Sequence, residues 1–214
     1  MQPRAVGGYE WQSAEKVTEY LDREREPERE AEFREAHQQM LDLLAVSPQA
    51  GFRFLDLGAG AGAVSASLMA RFPKATGILA DMSAPMMQAG GENLAPFEGR
   101  YRYVELDMNA DDWPAELAGP FQAVVSARAI HHLPNERKLN VFRHAFEALA
   151  PGGVFVNWDI HRDLERERTD PGNVHNRTSA SIEEHLQMLE QVGFVDVRHI
   201  PRERRRAIFV GRKP

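Results

Sequence analysis

Three alternating glycines, Gly58, Gly60 and Gly62, follow the apolar run Arg53-Phe54-Leu55-Asp56-Leu57 and lead through Ala59, Ala61 and Ala63 into a helical pattern. Glycine lets the chain turn sharply and lets a ligand approach bare backbone, while the next helix offers unpaired N–H groups at its N-terminus. The chemistry expected there is cofactor binding. Gly58, Gly60 and Ala63 also satisfy the G-x-G-x-x-G/A spacing of dinucleotide-binding folds, so the glycines alone leave the cofactor open. Acids recur at or just before the ends of later apolar runs: Asp81 before Met82, Asp107 before Met108, and Asp159, with Ser126 in the corresponding place on a fourth run. His131 and His132 stand side by side, and a histidine titrating near neutrality can take a proton from a hydroxyl or an amine. Zinc bound through His131, His132 and His144 is not expected, because adjacent residues rarely converge on one ion. Alternation along a strand puts Asn157 and Asp159 on one side, as substrate-binding candidates, with Trp158, His161 and Arg162 beside them. Arg202, Arg204, Arg205 and Arg206 form the chain's basic cluster, fit for an anionic substrate, an RNA phosphate or a solvated turn.

These residues need a scaffold, and the periodicity supplies one. Ser13 caps a short helix with Val17, Tyr20 and Leu21 on one face, and Pro27 starts a second with Phe33, His37, Met40, Leu41 and Leu44. After the glycine loop, Val64, Leu68, Met69 and Phe72 mark a helix ended by Pro73. Strands are expected at Ala75 to Ala80, Tyr101 to Leu106, Phe121 to Ser126 and Val154 to Trp158. A helix capped by Ser83 is expected to close at Gly90-Gly91, and one capped by Asn135 at Pro151-Gly152-Gly153. Ser181-Ile182-Glu183-Glu184 is a capping box for a helix ended by Gly193, and Phe194 to Ile200 and Ala207 to Val210 form two strands around Pro201. Alternating strands and helices imply a parallel α/β sheet with ligands outside the carboxyl ends of its strands, where the acids lie. The last two strands lack an intervening helix and must pair antiparallel.

The composition is that of one globular domain: 214 residues, 43% hydrophobic and 27% charged. Residues 1–49 read as a helical extension and lid candidate, and residues 50–214 as the cofactor-binding domain. A net charge of −6 argues against a globally basic nucleic-acid binder. The absence of cysteine excludes disulfides and a thiolate nucleophile. No apolar run approaches the roughly 18 to 20 residues of a membrane span and no secretory signal is evident, so a cytoplasmic protein without membrane partners is expected. Oligomeric state, monomer or homodimer, is left open.

The order of these motifs resembles the class I S-adenosylmethionine-dependent methyltransferases over nearly all of residues 50–214. Leu55 to Gly62 looks like the family's Asp-x-Gly-x-Gly-x-Gly loop, Asp81 like the acid ending its second strand, Asp107-Met108 like its motif after the third, and Leu149-Ala150-Pro151-Gly152-Gly153 like its Leu-x-Pro-Gly-Gly turn. The resemblance implies a Rossmann-like three-layer sandwich with a mostly parallel seven-stranded sheet, a C-terminal antiparallel hairpin and two extra N-terminal helices. It implies S-adenosyl-L-methionine as cofactor, with Asp56 near the methionine ammonium, Asp81 on the ribose hydroxyls, Asp107 on the adenine amino group, and Met82 and Met108 against the ring. Gly58, Ala59, Gly60, Gly62 and Ser126 complete the cofactor set. His131 and His132 are the candidates for catalysis, and Tyr20, Asn157, Asp159 and Arg162 for the acceptor. Only about 20 residues separate Asp159 from Ser181, short for the acceptor-covering elements that many relatives place there, so Tyr9, Trp11 and Tyr20 become lid candidates.

The function implied is methyl transfer to O, N or C of a small molecule. Alternatives are a transferase acting on tRNA or another anionic substrate, which the hairpin arginines motivate, a relative using a modified S-adenosylmethionine, an NAD-dependent oxidoreductase, and a non-catalytic cofactor-binding protein.

Overall fold

The computed structural model describes residues 10–162, 179–203 and 205–214. Tyr9, the Pro171-Gly172 connection and Arg204 lie outside the described residues. Two helices come first, α1 (Ala14–Glu24) and α2 (Pro27–Leu43). Then follow β1 (Arg53–Leu57), α3 (Ala63–Arg71), β2 (Thr76–Asp81), α4 (Ala84–Leu94), β3 (Tyr101–Glu105), β4 (Phe121–Ala127), α5 (Asn135–Ala148), β5 (Leu149–Ile160), α6 (Ile182–Val192), β6 (Val195–Arg202) and β7 (Arg206–Arg212). The seven strands form one sheet in the order β3-β2-β1-β4-β5-β7-β6. Strands β1 to β5 pair in parallel, and β7 runs antiparallel between β5 and β6. The registers Leu57↔Ala80, Leu57↔Ser126, Asp81↔Glu105 and Ser126↔Asn157 bring the carboxyl ends of the parallel strands to one edge.

Side-chain alternation divides the core between the two faces of the sheet. Leu55, Leu57, Phe155 and Phe209 pack with Phe142 of α5 and Leu189 of α6. Phe54, Val125, Val156, Trp158 and Val210 pack with Met40 of α2 and Leu68 of α3. Alternation also carries polar residues inward. Asp56 shares the α3 face with Phe54, whereas Asn157 and Asp159 share the α5 and α6 face with Phe155.

Most strand ends fall within one or two residues of the sequence expectation, and three helix and strand boundaries differ in a way that local contacts explain. Helix α4 passes Gly90-Gly91 and ends at Leu94, because Gly90 serves packing there: a Cβ on it would sit 2.3 Å from the Tyr103 hydroxyl. Strand β5 starts at Leu149, so Pro151-Gly152-Gly153 lies within it, and the pairing with β4 shifts register between Phe121 and Ala123. Asn135 is the first residue of α5 after Pro134 and makes no capping hydrogen bond. The Ser181–Glu184 capping box is formed in both directions.

The hairpin arginines hold α2 down. Arg202 pairs with Glu35 at 2.8 Å and reaches Gln39 at 3.2 Å, and Arg206 pairs with Glu32. The guanidinium of Arg206 also lies 5.6 Å from the Trp158 ring centroid. Much of the basic cluster is thus matched by acids of this same chain.

Candidate functional site

The glycine loop is fixed by the strands on either side of it. The N–H groups of Gly58 and Ala59 donate to the Ala80 carbonyl at 2.8 and 3.1 Å, and the Gly60 N–H donates to Asp81 Oδ2 at 2.7 Å. Tyr103 donates its hydroxyl to the Gly60 carbonyl at 2.8 Å, and Asn93 donates to that of Ala61 at 3.1 Å. Gly58 has φ +67°, and a Cβ there would lie 2.2 Å from the Ala129 Cβ, so both backbone conformation and close approach demand glycine. Gly62, with φ +74°, is the N-cap of α3 and packs against Leu94.

A cavity of about 570 Å³ opens beside this loop, along the carboxyl edge of β1 to β5. Asp56, Gly58, Ala59, Gly60, Asp81, Met82, Asp107 and Met108 line one part of it, and Trp11, Tyr20, Phe33, His132 and Trp158 the other. The two parts differ in character: acids and bare backbone at one end, rings interspersed with Glu24, Arg25, Glu30, Arg34 and Arg128 at the other.

The three acids have distinct environments. Asp56 is fully buried and accepts the Ser65 hydroxyl at 2.6 Å. Desolvation raises its pKa to about 7, a rise that the Ser65 hydrogen bonds oppose and Asp81 reinforces. Asp81 accepts the Ser83 N–H on Oδ1 at 2.8 Å and that of Gly60 on Oδ2. Burial raises its pKa too, against the pull of those backbone donors. Asp107 is exposed and closes the turn after β3, its Oδ1 accepting the backbone and side-chain N–H groups of Asn109 at 2.8 and 3.1 Å.

The remaining candidates separate across the sheet. His132 lines the cavity, whereas His131 is buried beneath it, with the two rings 4.0 Å apart between centroids. Asp159 holds His131 twice: its Oδ2 accepts the backbone N–H at 2.9 Å, and its Oδ1 lies 2.5 Å from Nδ1. Burial opposes the charge on Asp159, but His131, together with His185 and the Ile160 N–H, keeps the carboxyl below its ordinary range. Asn157 is fully buried on the same side, its amide atoms without hydrogen-bond partners among the described residues. Arg162 pairs with both carboxylate oxygens of Glu184 at 3.1 Å, and Ser126 donates to the Leu57 carbonyl at 2.8 Å. None of Gly62, Ser126, His131, Asn157, Asp159 and Arg162 lines the cavity. The cavity lies on the α2 and α3 face, so the wall from β5 is Trp158 rather than its polar neighbours.

Sequence reasoning assigned no role to Arg128. Its guanidinium lines the cavity, pairs with Glu24 at 2.5 Å and donates to the Tyr20 hydroxyl at 2.8 Å. Its φ of +57° is unusual for a residue other than glycine. These partners lie more than 100 positions away along the chain (|i−j| 104 and 108), so no local pattern reveals them. His37 also lines the cavity, with its edge against Trp158 and its pKa lowered to about 4 by burial and by Arg128.

Among the described residues no cluster of His, Asp and Glu could hold a metal ion, and no described helix is long and apolar enough to cross a membrane. Residues 54–153 match the family model described as a methyltransferase domain. The chain is 34% identical over 116 residues to trans-aconitate 2-methyltransferase of Deinococcus radiodurans, which is 54% of this chain and 41% of that protein. It is 32% identical over 117 residues to ubiquinone biosynthesis O-methyltransferase of Psychrobacter cryohalolentis, or 53% and 43% of the two chains. The aligned stretch thus spans less than half the length of either relative. The fold is similar to that of human N-acetylserotonin methyltransferase in complex with S-adenosylmethionine, with TM-score 0.71, 17% identity, and coverage of 99% of this chain and 60% of that one. The matched stretch builds the glycine loop, the acids of β1 to β3 and the turn into β5, and it is there that this chain is similar to the class I S-adenosylmethionine-dependent methyltransferases.

Proposed function

We propose that the chain transfers a methyl group from S-adenosyl-L-methionine to an O, N or C atom of a small molecule. The observation that carries this reading is the two-part cavity, which joins the glycine loop and its acids to an end lined by Trp11, Tyr20, Phe33, Trp158 and His132. The residues present fit the cofactor. Gly60 has no Cβ to obstruct an approaching ligand, with only the Met86 sulfur within 4 Å of that position. Asp81 keeps lone pairs for two ribose hydroxyls beyond those used by Gly60 and Ser83. Asp56 meets the ammonium end, Asp107 the adenine amino group, and Met82 and Met108 the faces of the ring.

Bound in this cavity, the cofactor supplies a methyl group on a sulfonium, already a strong electrophile. The protein's part is alignment in a water-poor pocket, with proton removal where the nucleophile starts protonated. His132, in the cavity wall, takes that proton. His131 is a positioning residue, locked by Asp159 behind the His132 ring. Tyr20 and Trp158 flank the acceptor, and residues 10–49 cover it.

A second reading, methylation of RNA, draws on 33% identity over 89 residues to ribosomal RNA small subunit methyltransferase C of Salmonella choleraesuis, 42% of this chain and 25% of that protein. The pairing of Arg202 and Arg206 with acids of α2 weighs against it. The deciding experiment supplies methyl-labelled S-adenosylmethionine with a panel of phenols, amines, carboxylic acids and carbon acids, and separately with total RNA. Label on a small molecule is expected. Label on RNA alone, or calorimetric binding of NAD in place of S-adenosylhomocysteine, overturns the proposal.

A further inference from the structure

Helix α1 is attached to the domain far more lightly than α2. Four side chains from α2 and its C-cap, Ala36, Met40, Leu41 and Leu44, enter the core, and Glu32 and Glu35 tie the helix to the hairpin. By contrast, α1 buries only Val17, in a small cluster with Ala61 and Met86. Apolar burial is the main adhesive between elements, so α1 depends heavily on its other attachment.

That attachment is ionic. Glu24, the last residue of α1, pairs with Arg128 at 2.5 Å, and the Tyr20 hydroxyl accepts from the same guanidinium at 2.8 Å. The guanidinium lies 4.5 Å from the Phe33 ring centroid and 5.5 Å from that of Tyr20. The Arg128 backbone is left-handed, a conformation that persists in a non-glycine residue where the surroundings impose it. Glu24 is also 3.4 Å from Arg29 of α2, so it keeps a cationic partner if it leaves Arg128. Between the two helices stand only Arg25 and Glu26, before the Pro27 that opens α2. Tyr20, Leu21, Glu24 and Arg128 line the same cavity as Gly58 and Gly60.

We propose that α1 is a gate over the cofactor cavity, hinged at Arg25 and Glu26 and latched by the hold of Glu24 and Tyr20 on Arg128. The inference rests on the cofactor reading of that cavity. Opening breaks the Glu24–Arg128 ion pair, the Tyr20 hydrogen bond, the small Val17 cluster and, just before α1, the hydrogen bonds from Gln12 to the Met82 carbonyl and from Ser83 to the Trp11 carbonyl, while α2 and the sheet stay in place. A weakly held element beside a ligand cavity is the kind that opens on its own.

Two measurements test the gate. Hydrogen exchange read by mass spectrometry compares residues 14–24 with residues 27–43, with and without saturating S-adenosylhomocysteine. Stopped-flow fluorescence follows association and dissociation of S-adenosylhomocysteine in the wild type, Glu24→Gln and Tyr20→Phe. In the free protein α1 exchanges faster than α2, and the ligand slows α1 selectively. Glu24→Gln raises both rate constants by about tenfold and Tyr20→Phe by a few-fold, since losing a latch speeds entry and exit together. Exchange of α1 and α2 as one unit, or variants that lower thermal stability with both rate constants unchanged, overturns the gate. If Glu24→Gln does not fold, Tyr20→Phe decides by the same rates. A wild type that binds no S-adenosylhomocysteine overturns the cofactor reading and the gate with it, whereas binding with unaltered rates in the variants overturns the gate alone.

Discussion

Asp81 Oδ2 accepts the Gly60 backbone N–H at 2.7 Å, which joins the end of β2 to the middle of the glycine loop. The carboxylate therefore shapes the loop before any ligand arrives. Asp81→Ala removes the proposed ribose acceptor and leaves the Gly60 and Ser83 donors unmatched. An S-adenosylhomocysteine affinity lower by about tenfold or more is expected from the loss of charged hydrogen bonds, with an apo stability loss of about 1–3 kcal/mol. Calorimetry and urea unfolding read the two effects. Unchanged affinity removes Asp81 from the cofactor set.

Gly58→Ala tests the loop by its shape alone. The added Cβ would collide with Ala129 at 2.2 Å and must sit at φ +67°. Both penalties act together, and a loss of about 2–4 kcal/mol is expected. Gly91→Ala is the control: nothing lies within 4 Å of its Cβ position, and it sits inside α4, where alanine stabilises by about 0.5–1 kcal/mol. If denaturant midpoints move equally for the two variants, the close approach of Gly58 to Ala129 is wrong.

These glycines also show how far the sequence could be read. The apolar runs ending in Asp56, Asp81 and Asp107 are local signals, and they placed the strands, their order along the chain and the acid-bearing edge. Gly90 and Gly152 use the same residue type for packing and for a turn inside a strand, which moved two predicted boundaries. The sides of β5 could be assigned by alternation, but not which side the cavity would take. That depends on α2 closing over Trp158, a contact between distant parts of the chain. Arg128 was invisible for the same reason.

The histidines divide the proposed chemistry. His132→Ala should lower kcat/KM by about 10²- to 10⁴-fold for an acceptor whose nucleophile starts protonated, the usual range for a positioned base. An acceptor already ionised at the assay pH should lose much less. Asp159→Asn should reproduce part of the loss by releasing His131, without weakening S-adenosylhomocysteine binding. Equal losses for ionised and protonated acceptors would show that His132 serves packing or binding and not proton transfer.

Acid stability should follow two buried histidines. His37 and His185 have folded pKa values lowered to about 4, chiefly by burial. Their depressed values mean that the unfolded chain binds more protons between pH 6.5 and 4, so the stability they carry is lost as pH falls through that window. His185 stacks on Phe209 with ring centroids 4.2 Å apart, and His185→Phe keeps a ring there without a titrating group. Urea midpoints at pH 7 and pH 4.5 should lie closer together in this variant than in the wild type. A gap of unchanged size would show that His185 does not set the acid limit.

Asp56 gives the opposite sign and a link to the ligand. Its folded pKa of about 7 lies above the unfolded value, so the folded apo protein binds the extra proton and loses stability as pH rises from about 4 to 7. Asp56→Asn should therefore stabilise the apo protein more at pH 8 than at pH 5. An ammonium placed near this carboxylate favours its charged form and pulls the pKa back down. Binding should then release a proton near neutrality, and S-adenosylhomocysteine affinity should rise from pH 6 to pH 8 while the ligand's amine stays protonated. Isothermal calorimetry in buffers of different ionisation enthalpy counts that proton directly. In Asp56→Asn the release should vanish and the affinity should become flat with pH at a weaker value. If the wild type releases no proton and its affinity is already flat, the ammonium does not lie at Asp56 and the methionine end of the cofactor must be placed elsewhere along the glycine loop.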